Sequence, residues 1–181
     1  MYGIFSSRNQ KKSGGMRPLR PLRPLRGQAI VEFAIALPVL LMLLVGIMEV
    51  GRMLFMYASV VNSSRDAVRY ASAYGRSDDG YLKYKYCDGI ASVAKASGFI
   101  LNLQDTDITI TYDTGPGGTS LGSCPPATTT GEANINVDTE DRVNVTVSAT
   151  YNPMLSLLPI PARTFTSTSS RTILGIMELD N

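Results

Sequence analysis

The chain has no histidine and no tryptophan, and only two cysteines among its 181 residues. Histidine is the one side chain whose ordinary pKa lies near neutral pH. Its absence excludes His-based acid–base catalysis, Ser-His triads and His-ligated metals. Two cysteines cannot build a multi-Cys zinc site. No Ser-Lys motif takes the place of a triad. The acidic clusters Asp78-Asp79, Asp105/Asp107 and Asp138/Glu140/Asp141 lack the spacing of an EF-hand loop and read as a solvated acidic face. The expectation is a protein with no catalytic residues, no metal, no cofactor and no small-molecule substrate, hence not an enzyme. Negative charge is absent from residues 1–26, which carry seven basic side chains; the remainder carries ten basic and fifteen acidic ones, a net of −5. A basic head on an acidic body argues against nucleic-acid binding, where positive charge belongs on the folded part.

What the sequence has is one long apolar run. Phe33 to Met48 carries no charge, and extending it to Ala29 and Val50 adds only Glu32 and Glu49. At the helical rise this run is roughly 33 Å long, enough to cross the hydrocarbon core of a bilayer. A buried core helix is the alternative, but the rest of the chain is too small and polar to wrap it. A cleaved signal peptide would need a shorter apolar core and a small-x-small site directly after it, which Gly51-Arg-Met-Leu-Phe-Met-Tyr57 does not offer. The seven preceding basic residues place the N-terminus in the cytoplasm and the residues after about 50 outside. Arg17 to Arg26 repeats Arg-Pro-Leu, which favours extended polyproline II and serves as a topology signal, with attraction to anionic lipid at the inner leaflet.

The helical pattern continues past the apolar run. Met53, Tyr57, Val60, Ser64, Ala67, Ala71 and Tyr74 alternate four and three apart, a stripe expected to be buried under the chain's own domain. Gly75 is the expected stop, through a positive φ. Pro38 removes one intrahelical bond and is tolerated in membrane helices. Glu32 is an ionisable group near the cytoplasmic end of the span and needs either a headgroup contact or a partner. Glu49 and Arg52, three apart, form either a local ion pair or a contact to another protein.

Gly27-Gln28-Ala29-Ile30-Val31-Glu32-Phe33, after a basic leader and opening an apolar helix, resembles the processing site of type IV pilin-like proteins. The Glu-Phe pair is closer still to pseudopilins of the tight-adherence (Tad) pilus system. The likeness runs on through Leu37-Pro38, Gly46-Ile-Met-Glu49-Val-Gly51-Arg52, and Asn62 to Tyr70 with Arg65 and Arg69, and resembles the TadE-like family of minor pseudopilins over about residues 27–74. The resemblance implies cleavage after Gly27 by a membrane prepilin peptidase, leaving Gln28 as the new N-terminus and Glu32 at position five. It further implies that Glu32 pairs with the new amino group of a neighbour, since neither charge is tolerable alone in low dielectric. Gln28 departs from the Phe or Met common at that place.

Residues 76–181 are expected to form a small exported domain. Residues 91–97 read as a short helix ended by Gly98. Asp107–Asp113 and Arg142–Thr150 alternate like half-buried strands, and Phe165–Ile173 reads as a third. Thr114 to about Thr139 reads as a long loop, and Asn152-Pro153 and Pro159-Ile-Pro161 punctuate the path to the last strand. Cys87 and Cys124, both outside the membrane, are an even pair that an oxidising space would join, the alternative being two buried thiols. The organisation is therefore a leader (1–27), a transmembrane helix (28–50), an amphipathic extension (51–75) and an α+β domain with an antiparallel sheet (76–181). Two functions fit: a pseudopilin-like protein of a Tad pilus, partnered by lipid, other pilins, the assembly machinery and a prepilin peptidase; or an unprocessed single-pass anchor displaying a small binding domain.

Overall fold

The computed structural model describes residues 26–124, 132–154 and 161–175. The basic leader, the middle of the expected long loop and Pro159-Ile160 lie outside the described residues. The chain divides into two units, residues 1–41 and 42–181. An α-helix, α1, occupies Arg26–Ser72 and contains Pro38. In the first unit every residue from Gly27 to Leu41 is exposed. Side chains such as Ile35 and Val39 are more than two-thirds exposed. A helix this apolar and this long, with no protein around it, has lipid as its matching solvent. None of its most apolar stretch is buried against the described residues.

The second unit is α+β. After α1 come α2 (Cys87–Ser97), two single-turn 3₁₀ segments (Phe99–Leu101 and Asp105–Asp107), and strands β1 (Ile108–Asp113), β2 (Ser120–Ser123), β3 (Arg142–Tyr151) and β4 (Arg163–Thr172). The strands form one antiparallel sheet in the order β2-β1-β3-β4. Ile108 faces Val147, Ile110 faces Val145 and Tyr112 faces Val143, so the apolar alternation of both strands falls on one side of the sheet. That side meets α1 and α2 in a core containing Val60, Ala67, Val68, Ala71, Ile90 and Ala94.

Small residues let these elements approach closely. Ser63 and Ser64 are fully buried in α1. Ser63 Oγ donates to Ala94 O at 2.6 Å, and Ser64 Oγ lies 3.0 and 2.9 Å from the hydroxyls of Ser167 and Ser169 on β4. Both hydroxyls are thus satisfied where an orphan would be costly. At Gly98, a Cβ would stand 2.8 Å from Leu103 Cδ1, 3.2 Å from Ala94 O and 3.3 Å from Ser63 Oγ, so a larger residue there would make these neighbours shift. A disulfide joins Cys87, at the start of α2, to Cys124, just past β2.

The expected elements and the observed ones differ in particular places. α2 starts at Cys87, four residues earlier than Ala91. α1 ends at Ser72, and Gly75, with φ of 112°, lies three residues beyond it. β2 falls inside the expected loop: it is four residues long, has no apolar alternation, and carries Gly122 at φ 131°, a conformation that L side chains rarely adopt. The stripe on α1 is fully buried from Val60 to Ala71, but Tyr57 and Tyr74 are 52% and 61% exposed. Tyr57 lies at the rim, where it meets Phe165 edge-on with ring centroids 5.9 Å apart, and Tyr74 lies beyond the end of α1.

At the β2 end of the sheet, Asp113 ties β1 to β3. Arg142 Nε and Nη2 each donate to it at 2.8 Å, Asn144 Nδ2 at 2.6 Å, and the Gly115 amide at 3.0 Å. The Arg142 guanidinium, helped by these other donors and opposed by partial burial, holds the Asp113 carboxyl down to about 2.

Two outcomes follow from this packing. Ala67→Leu forces three extra carbons into a site with no exposed surface and should cost about 1–3 kcal/mol, whereas Tyr74→Ser should stay within about 0.5 kcal/mol. Denaturant titration of the two variants in detergent checks the contrast. Because Asp113 is more acidic folded than unfolded, its contribution is complete above about pH 4 and is lost as pH falls toward 2. Asp113→Asn should flatten that part of the stability–pH curve.

Candidate functional site: the processing motif and the Glu49 joint

The sequence-derived site residues fall into two groups, one in each unit. In the first unit, Gly27, Gln28, Glu32 and Phe33 all lie in the first turns of α1 and are exposed. Helical spacing brings Gln28 over Glu32, and Gln28 Nε2 donates to Glu32 Oε1 at 3.1 Å. Among the described residues, nothing lies within 4 Å of a Cβ built at Gly27. Pro38 sits one turn and a half further on, inside α1, and is likewise exposed. The single carboxylate therefore stands on an exposed, apolar surface with a neutral amide as its described neighbour.

In the second unit, Glu49 and Arg52 form something more extensive than a local pair. Glu49 is only 5% exposed. Its carboxylate accepts a hydrogen bond from the Tyr151 hydroxyl and another from the Met154 amide at 2.9 Å. Arg52 Nε lies 3.5 Å from Glu49 Oε2, its Nη2 donates to the Asn152 carbonyl, and its guanidinium stands 4.8 Å from the centre of the Tyr151 ring. One turn of α1 is thus fastened to the end of β3 and to the chain that leaves it. The hydrogen bond to Glu49, with burial second, raises the Tyr151 pKa above its ordinary value, so the phenol keeps its proton at any physiological pH. A buried carboxylate supplied with a cation, a phenol and an amide is a structural fastener.

Sequence reasoning located Glu49 and Arg52 but not Tyr151, Asn152 or Met154. Tyr151 closes the alternating β3 pattern and is the last inward position of that strand, the only local signal it gives. The disulfide cysteines lie together at the far side of the α1–sheet core, beside Tyr112, whose hydroxyl donates to Tyr84 O at 2.6 Å.

Two carboxylates flank the apolar run in sequence, the first in an exposed Gly-x4-Glu-Phe turn. Residues 27–69 match the TadE-like protein family. The matched segment is most of α1, from the Gly27–Phe33 turn through the Glu49 joint to Arg69, and stops five residues short of the stretch read from sequence. The match covers less than half of the chain and, over that stretch, suggests involvement in Tad pilus systems. The exposed apolar helix within it is long and apolar enough to cross a membrane, which supports a membrane-anchored protein. No curated protein and no solved structure matches the chain.

The joint can be tested directly. Glu49→Gln and Tyr151→Phe should each lower the melting temperature of the detergent-solubilised chain. The double variant should lose less than the sum of the two, because both act on one hydrogen bond. Simple addition of the two effects would show that Glu49 and Tyr151 are not coupled.

Proposed function

We propose that this protein is a non-catalytic, pseudopilin-like subunit of a Tad-type pilus, processed after Gly27 and retained in or drawn from the membrane by contacts along α1. The observation that carries the reading is the exposed Gly27–Phe33 turn at the head of a TadE-like, lipid-exposed helix. Cleavage by a prepilin peptidase on the cytoplasmic face would remove the basic leader and create an ammonium at Gln28. In a fibre or its base, Glu32 of one subunit then neutralises the Gln28 ammonium of another. In hydrocarbon that pairing replaces two intolerable charges by one neutral contact. The Gln28–Glu32 hydrogen bond supports this: it holds the carboxylate beside its own N-terminal turn without neutralising it.

The domain after α1 lies outside the cytoplasm in this reading. The excess of basic residues before the span and the Cys87–Cys124 disulfide both favour it. Partners are then lipid, other pilins and the assembly machinery, and the output is surface attachment.

Replacing the wild-type protein by Glu32→Leu in its native cell tests the assembly role. The variant should insert in the membrane at normal abundance while surface fibres and attachment are lost. Intact fibres with Glu32→Leu would rule out the role given to Glu32 and favour a permanent anchor.

A further inference from the structure

The rim of the second unit carries a groove of about 450 Å³ between α1 and β4, lined by Asn62, Arg65, Asp66 and Arg69 on the helix and by Ser169 and Arg171 on the strand. Three arginines converge there with one acid. Asp66 already accepts a hydrogen bond from Ser97 Oγ at 2.9 Å. Among the described residues, Arg65, Arg69 and Arg171 have no carboxylate within ion-pair distance, and all three are exposed. The wall of the groove is the last strand of the sheet. β4 pairs with β3 on one side, and among the described residues no strand covers the other. A ten-residue edge offers a row of backbone donors and acceptors to any extended chain.

We propose that this groove receives an extended acidic segment of another protein, which adds to β4 as a fifth strand and sets its carboxylates on Arg65, Arg69 and Arg171. Strand addition supplies main-chain hydrogen bonds, and the guanidinium groups select the charge. A second copy of this chain is a poor occupant through β4 itself. The strand contains no acid and carries Arg163 and Arg171 near its two ends, so antiparallel pairing of two β4 strands about their middle opposes arginine to arginine. The inward face of β4 is already committed to α1 through Ser167 and Ser169, so the free edge, not a face, is what remains to be used. The proposal goes beyond the assembly reading and does not depend on cleavage at Gly27.

The probe is a synthetic ten-residue peptide alternating Glu and Val, with a Lys-Val counterpart and a Glu-Val version N-methylated at every second amide. Binding to the full chain in detergent micelles is followed by fluorescence anisotropy, and β4 protection by hydrogen exchange. The Glu-Val peptide should bind at least about tenfold more tightly than Lys-Val, and the pair Arg65→Glu/Arg69→Glu should reverse that preference. Arg171→Glu, measured separately, should weaken binding on its own, so that a folding defect in one variant does not decide the question. Amides of residues 163–172 should exchange more slowly in the complex, and N-methylation should abolish binding. Undiminished binding of the N-methylated peptide would reduce the groove to an anion site and overturn strand addition. Absence of binding, indifference to the arginine changes, or self-association of the free chain that those changes abolish would each overturn the proposal.

Discussion

The second unit depends on one narrow face of α1 coming close enough to a sheet and a second helix to exclude water. Close approach demands small side chains, and α1 supplies them in succession: Val60, Ser63, Ser64, Ala67, Val68, Ala71 and Ser72 are all buried. Serine is admissible on this face only because each fully buried hydroxyl has a partner within reach, Ala94 O for Ser63 and the β4 serines for Ser64. The same helix, in the first unit, shows the opposite rule. There the side chains are large, apolar and exposed, as a surface suited to lipid would be, and no described neighbour limits their size.

Glu49 marks the change from one rule to the other. A carboxylate at the end of an apolar run is costly unless its oxygens are filled. Tyr151, the Met154 amide and Arg52 fill them, and in doing so fix where β3 and the chain after it meet α1. Glu32, the other carboxylate of the run, has only the Gln28 amide as a described neighbour. The contrast separates the two acids: one is completed within the chain, and the other is the one to which the proposed function gives a partner charge from another subunit.

How much of this was legible in the sequence followed from the range of each interaction. The apolar run, its helical continuation and the centre of the buried stripe depend on spacing along one helix, and were readable. β1 and β3 were readable for the same reason, through strict alternation of Ile and Val with polar residues. The first turn of α2 was hidden because Gly89 is a poor helix former; it is kept there because a Cβ would meet the Tyr86 ring at 2.3 Å. β2 gave no periodic signal at all. The Glu49 joint and the arginine groove are assembled from residues about a hundred positions apart, Glu49 with Tyr151 and Arg65 with Arg171, so half of each was visible as a local charge and its purpose was not. Of the exposed ends of the stripe, Tyr57 shows that an a/d spacing drifts around a 3.6-residue helix, and Tyr74 lies past the end of α1, where helical spacing no longer applies.

The central claim is that this helix begins its working life at Gln28, with a new charge for Glu32 of a neighbour to meet. The intact mass and N-terminal peptide of the protein isolated from its native membrane test that most directly. The account predicts a mature chain that starts at Gln28 and lacks the basic leader. A chain that retains Arg17 to Gly27 would contradict it, leaving the TadE-like helix as a permanent anchor for the domain it carries.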